Sequence, residues 1–424
     1  MAILSIVFFF AAIILAFVRK NNIGVIAMAI GVIAVRIFGL KDTDLIGGVS
    51  VSLFTTLVGI TLLFSIVTNT GALDLLARKI VALAGKRIWL LPILISITGF
   101  ILVAIGPGGV PVLAIIPPLA VSIAVQVGYD PLMMASIGIT GMLSGRFSPL
   151  TPEGAIIISA VSEGNFPGFA NYAIMVNTFI TSALISVVIF FMFKGHKVKA
   201  PEHMETAATE KFSGKQLAAL GGILLMLVLI IFVGVNIGMA ALCVAAILLL
   251  FRVADDGECI KSMPWNTIVM VLFVGALLKI VDKMGGISLM TEALASVMNS
   301  ATAAPLMGLS AGLLSLVSSA LSVVYPTMMP VSIGLAEQIN GIHAAALMSA
   351  VAAGGALAGT SPMSTGGALI MGALGGELKE KFTKEYQNKV FVQLIVISAV
   401  GLVVLMLCAA TFYGPIANLL CPLN

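Results

Sequence analysis

The sequence predicts an all-α polytopic membrane protein with two inverted repeats, each of about five transmembrane helices, a re-entrant hairpin and a broken helix. Three observations carry that prediction. The first is composition: 60% of the 424 residues are hydrophobic and 9% are charged, against about 25% charged in a soluble domain. The second is a series of apolar runs close to the ~20 residues that a spanning helix needs. The third is a pair of polar interruptions that look like copies. Residues 144–155 read SGRFSPLTPEGA and residues 357–368 read LAGTSPMSTGGA. Irregular backbone of this kind is tolerated inside a bilayer only where protein buries it or it lines a wet cavity.

Taken in order, residues 3–18 and 23–40 form two spans joined by Arg19, Lys20, Asn21 and Asn22. The opening run lacks a basic lead and a small-residue cleavage site, so it is expected to be a span and not a cleaved signal. Residues 50–67 form a third span. In 71–87, Leu73, Leu76, Ile80 and Leu83 recur at helical spacing beside Arg78, Lys79, Lys86 and Arg87. That pattern predicts a helix lying in the interface plane. Residues 89–127 read as the first hairpin, its arms split by Pro107, Gly108 and Gly109. A broken helix over 131–162 holds the first polar stretch, and 172–193 spans again. These elements make up the first repeat, 1–193. Residues 194–215, with lysines, glutamates and Pro201, form a cytoplasmic linker.

The second repeat, 216–424, opens with spans over 216–234 and 237–251, a charged turn over 252–261 and a span over 265–281. Residues 285–299 are amphipathic without a basic residue. A hairpin over 305–338 is expected to break at 323–327. A broken helix over 342–374 holds the second polar stretch, a Lys/Glu-rich loop covers 375–389, and 390–413 is the last span.

The repeat is visible at a fixed offset of 213 positions. Pro117 then meets Pro330, Gly128 meets Gly341, Ser136 meets Ser349 and Gly141 meets Gly354. Ser148 and Pro149 meet Ser361 and Pro362, Gly154 meets Gly367 and Ala160 meets Ala373. With each hairpin entering and leaving on one side, a repeat makes an odd number of crossings, so the second copy is inverted. Basic loops then fall on one side, the cytoplasmic one, and both termini are external. The expected location is the cytoplasmic (inner) membrane of a bacterium.

Inverted repeats with paired breaks point to a secondary transporter whose site lies at the breaks. Ser148-Pro149 and Ser361-Pro362 have the form of a helix start, Ser as cap and Pro in the first turn. Such ends suit an anion. Thr151, Thr360, Ser364 and Thr365 add hydroxyls, and Gly145, Gly359, Gly366 and Gly367 let backbone approach a ligand. Arg146 is the one cation in either stretch. It either binds a carboxylate bidentately or pairs with Glu153 structurally. Glu153 itself reads as a proton carrier or, more plainly, as the counter-charge. Substrate contacts are also expected at Pro107, Gly108, Gly109, Ser322, Tyr325 and Thr327. A coupling cation, Na⁺ or H⁺, is expected near Ser144, Gly145, Gly108, Gly109, Ser322 and Gly359, where carbonyl and hydroxyl oxygens suit Na⁺. The competing reading of both tips is an ordinary helix–helix turn.

Elsewhere the signals are plain. Arg36 near a span end is expected to snorkel, Lys279 and Asp282 to form a surface pair, and Glu337 and His343 to be solvated. Cys243, Cys259, Cys408 and Cys421 follow no metal or redox spacing and read as small core residues. No cofactor and no nucleic acid is expected, and no pump or hydrolase motif is present.

The chain resembles the ion transporter superfamily over most of its length, above all the divalent anion:sodium symporters and the malonate/dicarboxylate carriers. The resemblance rests on two hairpins, each followed by a Ser-Pro broken helix, and on the run from Ser361 to Ala368. Where the symporters carry Ser-Asn-Thr at each tip, this chain has Pro107-Gly108-Gly109 and Ala320-Leu321-Ser322. The resemblance implies a homodimer whose transport part moves as an elevator against a scaffold. The expected function is cation-coupled transport of a small organic anion, most plainly a dicarboxylate. The alternatives are a cation/proton antiporter, which would depend on Glu153, and the membrane subunit of a binding-protein-dependent system.

Overall fold

The structure is a computed structural model that describes residues 1–19, 21–85, 87–163, 170–198, 210–317, 319–362 and 364–422. Lys20, Lys86 and residues 199–209 of the 194–215 linker lie outside the described residues. Those described are helical, with no strand among them. Among the described residues, eight helical stretches are long and apolar enough to cross a membrane.

The first part of the chain runs α1 (Ala2–Arg19), α2 (Ile23–Ile37), α3 (Asp42–Ile46), α4 (Val51–Asn69) and α5 (Ala72–Ala82). It continues with α6 (Leu91–Ala104), α7 (Gly109–Leu113), α8 (Ile116–Val127), α9 (Pro131–Gly145), α10 (Pro152–Glu163) and α11 (Ala170–Met192). The second part has the same order: α12 (Gly214–Val233), α13 (Ile237–Leu250), α14 (Asp256–Ser262), α15 (Trp265–Lys283) and α16 (Gly286–Ala295). After α17 (Ala303–Val317) and one π-helical turn (Ala320–Val324) come α18 (Tyr325–Gln338), α19 (Ala344–Leu357), α20 (Thr365–Leu378) and α21 (Lys384–Thr411). A short α22 (Tyr413–Leu420) closes the chain.

Burial sorts these helices into a centre and a rim. In α9 every residue from Leu132 to Gly145 is buried, and so is every residue of α19. Helices apolar on all sides belong in the middle of a protein. α9 packs along α6, and α19 packs along α17 in the same way. Each break-to-C-terminus helix reaches across to the other part: α10 packs on α18, and α20 packs on α8. α1, α12 and α21 are mostly exposed apolar surface, as lipid-facing helices are.

A second group of helices forms the frame. α2 packs along α15, and α4 packs along α13. Small residues bring these backbones together, as expected without a hydrophobic drive between helices in lipid. A Cβ on Gly59 would lie 2.2 Å from the Gly238 carbonyl oxygen, and one on Gly24 would lie 2.6 Å from the Met270 Cα. Polar ties hold the ends, such as Asn22 Nδ2 donating to the Asn266 carbonyl (2.9 Å) and Gln216 Nε2 to the Thr70 carbonyl (3.1 Å).

Several expectations need correction. The second hairpin does not break at 323–327. Ser319 is extended, and the chain then coils continuously from Ala320 into α18, so Tyr325, Pro326 and Thr327 are helical. The region 375–389 is mostly helix, because Thr383 caps α21 by accepting from Tyr386 N–H (3.3 Å). Arg36 does not simply snorkel; it pairs with Asp42 at 2.7 Å. His343 is buried, not solvated. Its Nδ1 accepts from Ala345 N–H (3.1 Å) and its Nε2 lies 2.6 Å from the Cys421 carbonyl oxygen, which ties α22 to the start of α19.

Candidate functional site

The two breaks are built by the same hydrogen bonds. Thr151 Oγ1 bonds to the carbonyls of Arg146 and Ser148 and accepts from Gly154 N–H at 3.0 Å. Ser364 Oγ bonds to the carbonyls of Gly359 and Ser361 (2.8 and 2.6 Å) and accepts from Gly367 N–H at 3.1 Å. Every partner is displaced by the 213-residue offset. The caps are therefore Thr151 and Ser364, three residues beyond Ser148 and Ser361. Ser148 and Ser361 contribute carbonyls that fold back onto the new helix. That fold-back requires glycine: a Cβ would meet the Ser148 oxygen at 1.9 Å from Gly154, and the Ser361 oxygen at 2.2 Å from Gly367. Pro149 and Pro362 sit in the turns, half-buried. At each helix start the first-turn N–H groups have no acceptor within the helix.

The first hairpin tip closes on the first break. Glu153 Oε1 accepts from the Gly109 N–H at 3.2 Å and from Arg146 Nε at 3.1 Å. The Glu153 side chain is 2% exposed and that of Arg146 is 18% exposed. A Cβ on Gly109 would come 2.8 Å from Arg146 Nε, so a side chain there would have to push the guanidinium aside. Gly108 has φ +77° and faces Glu153 Oε2. Pro107 is buried beside them.

Arg146 also lines a small void of about 20 Å³ with Leu357, Gly359 and Thr360 of the second break. The Phe147 ring meets the Tyr325 ring edge-on at 5.8 Å between centroids. Residues from both breaks and both hairpins are thus brought to one region. Within it, some predicted hydroxyls are already engaged. Thr360 Oγ1 donates to the Leu357 carbonyl (2.8 Å), Thr327 Oγ1 to that of Val323 (2.6 Å), and Tyr325 OH to that of Ala352 (3.3 Å). Thr365 is exposed. Ser144 and Ser322 are buried with hydroxyls that meet no partner among the described residues. Gly145 serves packing: a Cβ there would lie 2.4 Å from the Phe100 carbonyl oxygen. Gly359, by contrast, faces open space.

Two cavities flank α10. One of about 240 Å³ is lined by the first tip, Pro152 and Glu153, together with Thr61, Ser65, Thr68 and Asn69 of α4, and Thr267. The other, about 670 Å³, lies between α4 and α15 on one side and α10 and α18 on the other, with Lys279 and Asp282 in its wall. Both residues are exposed and line this crevice. The sequence reading missed the α4 residues, although a signal was present. Thr61, Ser65 and Thr68 recur at i, i+4 and i+7 in an otherwise apolar span, which sets them on one helix face. Among the described residues no group of His, Cys, Asp and Glu could hold a metal ion.

A family model described as "Citrate transporter" matches residues 10–354. In fold the chain is similar to the YdaH transporter of Alcanivorax borkumensis, with 14% identity over 88% of this chain and 87% of that one and a TM-score of 0.63. It is also similar to MtrF of Neisseria gonorrhoeae, described with a class of antimetabolite efflux pumps, with 11% identity over 87% of this chain and 82% of that one and a TM-score of 0.58. At such identities the likeness speaks for the fold alone. No protein of curated function matches the chain.

Proposed function

The chain belongs to the citrate transporter family, and on that premise we propose that it carries a small di- or tricarboxylate by cation-coupled, elevator-type alternating access. It is an integral membrane transporter of organic anions and not an enzyme. The observation that carries the finer reading is the doubled break, two helix starts of identical construction, with Arg146 bonded to Glu153 at the first and lining a small void with Gly359 and Thr360 of the second. Each helix start carries roughly half a positive charge. Two of them with Arg146 sum to about two positive charges, which matches a dicarboxylate once Glu153 no longer neutralises Arg146.

Ser148, Thr151, Ser361 and Ser364 with their turns form the proposed substrate cradle. The coupling cation, Na⁺ or H⁺, is proposed at the tip and break loops around Ser144, Gly108, Gly109, Ser322 and Gly359. The 670 Å³ crevice supplies the seam along which α10 and α18 would slide against α4 and α15. A homodimer joined through the frame is part of the same proposal. The two parts are taken as inverted repeats with external termini, a reading supported by the count of crossings, under which Arg19, Arg78, Arg87 and Arg252 would share one side, the cytoplasmic one by the positive-inside rule.

The test is uptake of labelled succinate, malonate and citrate into proteoliposomes under imposed Na⁺ and pH gradients. Mutually competed, gradient-driven flux is expected. Absence of carboxylate-competed flux under every gradient rejects the proposal. A cation/proton antiporter is the second reading, favoured by one observation: Glu153 is buried and its Oε2 meets no donor among the described residues. That reading predicts gradient-driven cation exchange without added carboxylate.

A further inference from the structure

We propose that Glu153 is an internal stand-in for the substrate carboxylate: in the empty carrier it occupies the anion-binding donors, and a bound carboxylate must displace it. This rests on the carboxylate-carrier reading above. A hairpin-tip N–H and a guanidinium are the donor types a carboxylate substrate would use. Glu153 Oε1 already takes both, from Gly109 and Arg146.

The repeat argues against a purely structural pair. At the 213-residue offset Arg146 corresponds to Gly359 and Glu153 to Gly366. Both charges are therefore missing together from the second break, yet its cap and carbonyl fold-back are the same. There the backbone itself fills the space, and a Cβ on Gly366 would lie 2.1 Å from the Gly359 oxygen. The break does not need the pair in order to fold. The charges are an addition to one copy, placed where its hairpin tip closes.

The contact is also one that can be undone. A buried ion pair is held firmly only when its remaining acceptors are satisfied. Here Oε2 is buried without a donor among the described residues. A displaced side chain has somewhere to go, since Glu153 borders the 240 Å³ cavity. There the Asn69 amide makes only long contacts to Cys259 Sγ (3.3 Å) and Ser262 Oγ (3.5 Å), while the Ser65 and Thr68 hydroxyls already donate to the Cys259 and Phe64 carbonyls. Charge balance follows the exchange. Glu153 in place leaves the site near one positive charge, and a dicarboxylate arriving as Glu153 departs meets about two.

The experiment is calorimetric titration of the purified protein with succinate and with citrate, for wild type, E153Q and E153D, with melting curves to establish folding. Removing a charged competitor for two donors is expected to tighten binding on the order of 10- to 100-fold in E153Q. E153D, too short to hold both donors, falls between. Should E153Q not fold, E153D carries the test alone. A structural role moves affinity down or not at all, so folded variants that bind no tighter than wild type overturn the proposal and leave the carrier reading standing. If neither wild type nor variants bind either probe, both fall.

Discussion

Replacing Gly154 by Ala tests the construction of the breaks directly. In an open helix position Gly→Ala stabilises by about 1 kcal/mol through backbone entropy. Gly154 has an ordinary helical backbone, so Ala fits the dihedrals, yet its Cβ would sit 1.9 Å from the Ser148 oxygen. A carbon–oxygen contact is comfortable near 3.3 Å, so the carbonyl must retreat by about 1.4 Å. That carbonyl accepts from the Thr151 N–H at 3.0 Å and from its hydroxyl at 2.8 Å. Weakening two hydrogen bonds costs about 0.5–1.5 kcal/mol each, and overpacking costs about 1–3 kcal/mol more. Net of the propensity gain, destabilisation of about 1–5 kcal/mol is expected. Gly367→Ala, with 2.2 Å to the Ser361 oxygen, should behave alike. Gly372→Ala in the same helix, α20, meets nothing within 4 Å and is the control. The assay is thermal unfolding of purified protein in detergent beside proteoliposome uptake. The first two variants should melt lower and transport poorly, and the control should melt at or above wild type. Wild-type melting and flux for Gly154→Ala and Gly367→Ala would show that carbonyl fold-back onto glycine does not hold the breaks.

Three further outcomes are expected. Thr151→Ala and Ser364→Ala each remove a helix cap and should cost about 1 kcal/mol, read as a lower Tm, while Thr151→Ser stays close to wild type. Arg146→Ala leaves a buried carboxylate alone, which costs about 3–5 kcal/mol, and should abolish carboxylate-competed uptake; Arg146→Lys keeps the charge without the planar fork and should retain part of it. Gly59→Leu drives a side chain into the Gly238 carbonyl, 2.2 Å from the Cβ position, and should separate α4 from α13, seen as loss of a monodisperse peak on gel filtration.

The cap position shows where reading by residue type stops. Ser148-Pro149 and Thr151-Pro152 both satisfy the local rule for a helix start, and so do Ser361-Pro362 and Ser364 with Thr365. Local chemistry offers two registers, and the choice falls to the one in which Gly154 and Gly367 receive a carbonyl. Arg146 was legible as an unusual charge at depth, but its pairing with Glu153 depends on a one-turn helix reversal that brings positions seven apart within 3.1 Å. His343 was expected to be solvated because it flanks the turn after the second hairpin; the carbonyl that covers it comes from Cys421, 78 positions away.

By itself the sequence determined that this chain lives in a bilayer, where most of its helices run, and that its two polar stretches repeat at an offset of 213 positions, each interrupting a helix. These follow from composition, period and local backbone preference, which act over a few residues at a time. Tertiary structure alone decided that the first tip meets Glu153, that Arg146 reaches the second break, and that the face of α4 bearing Thr61, Ser65 and Thr68 borders the cavity. Such contacts join residues that are remote along the chain, and they are set by which helices pack closely enough to exclude lipid and satisfy one another's polar groups.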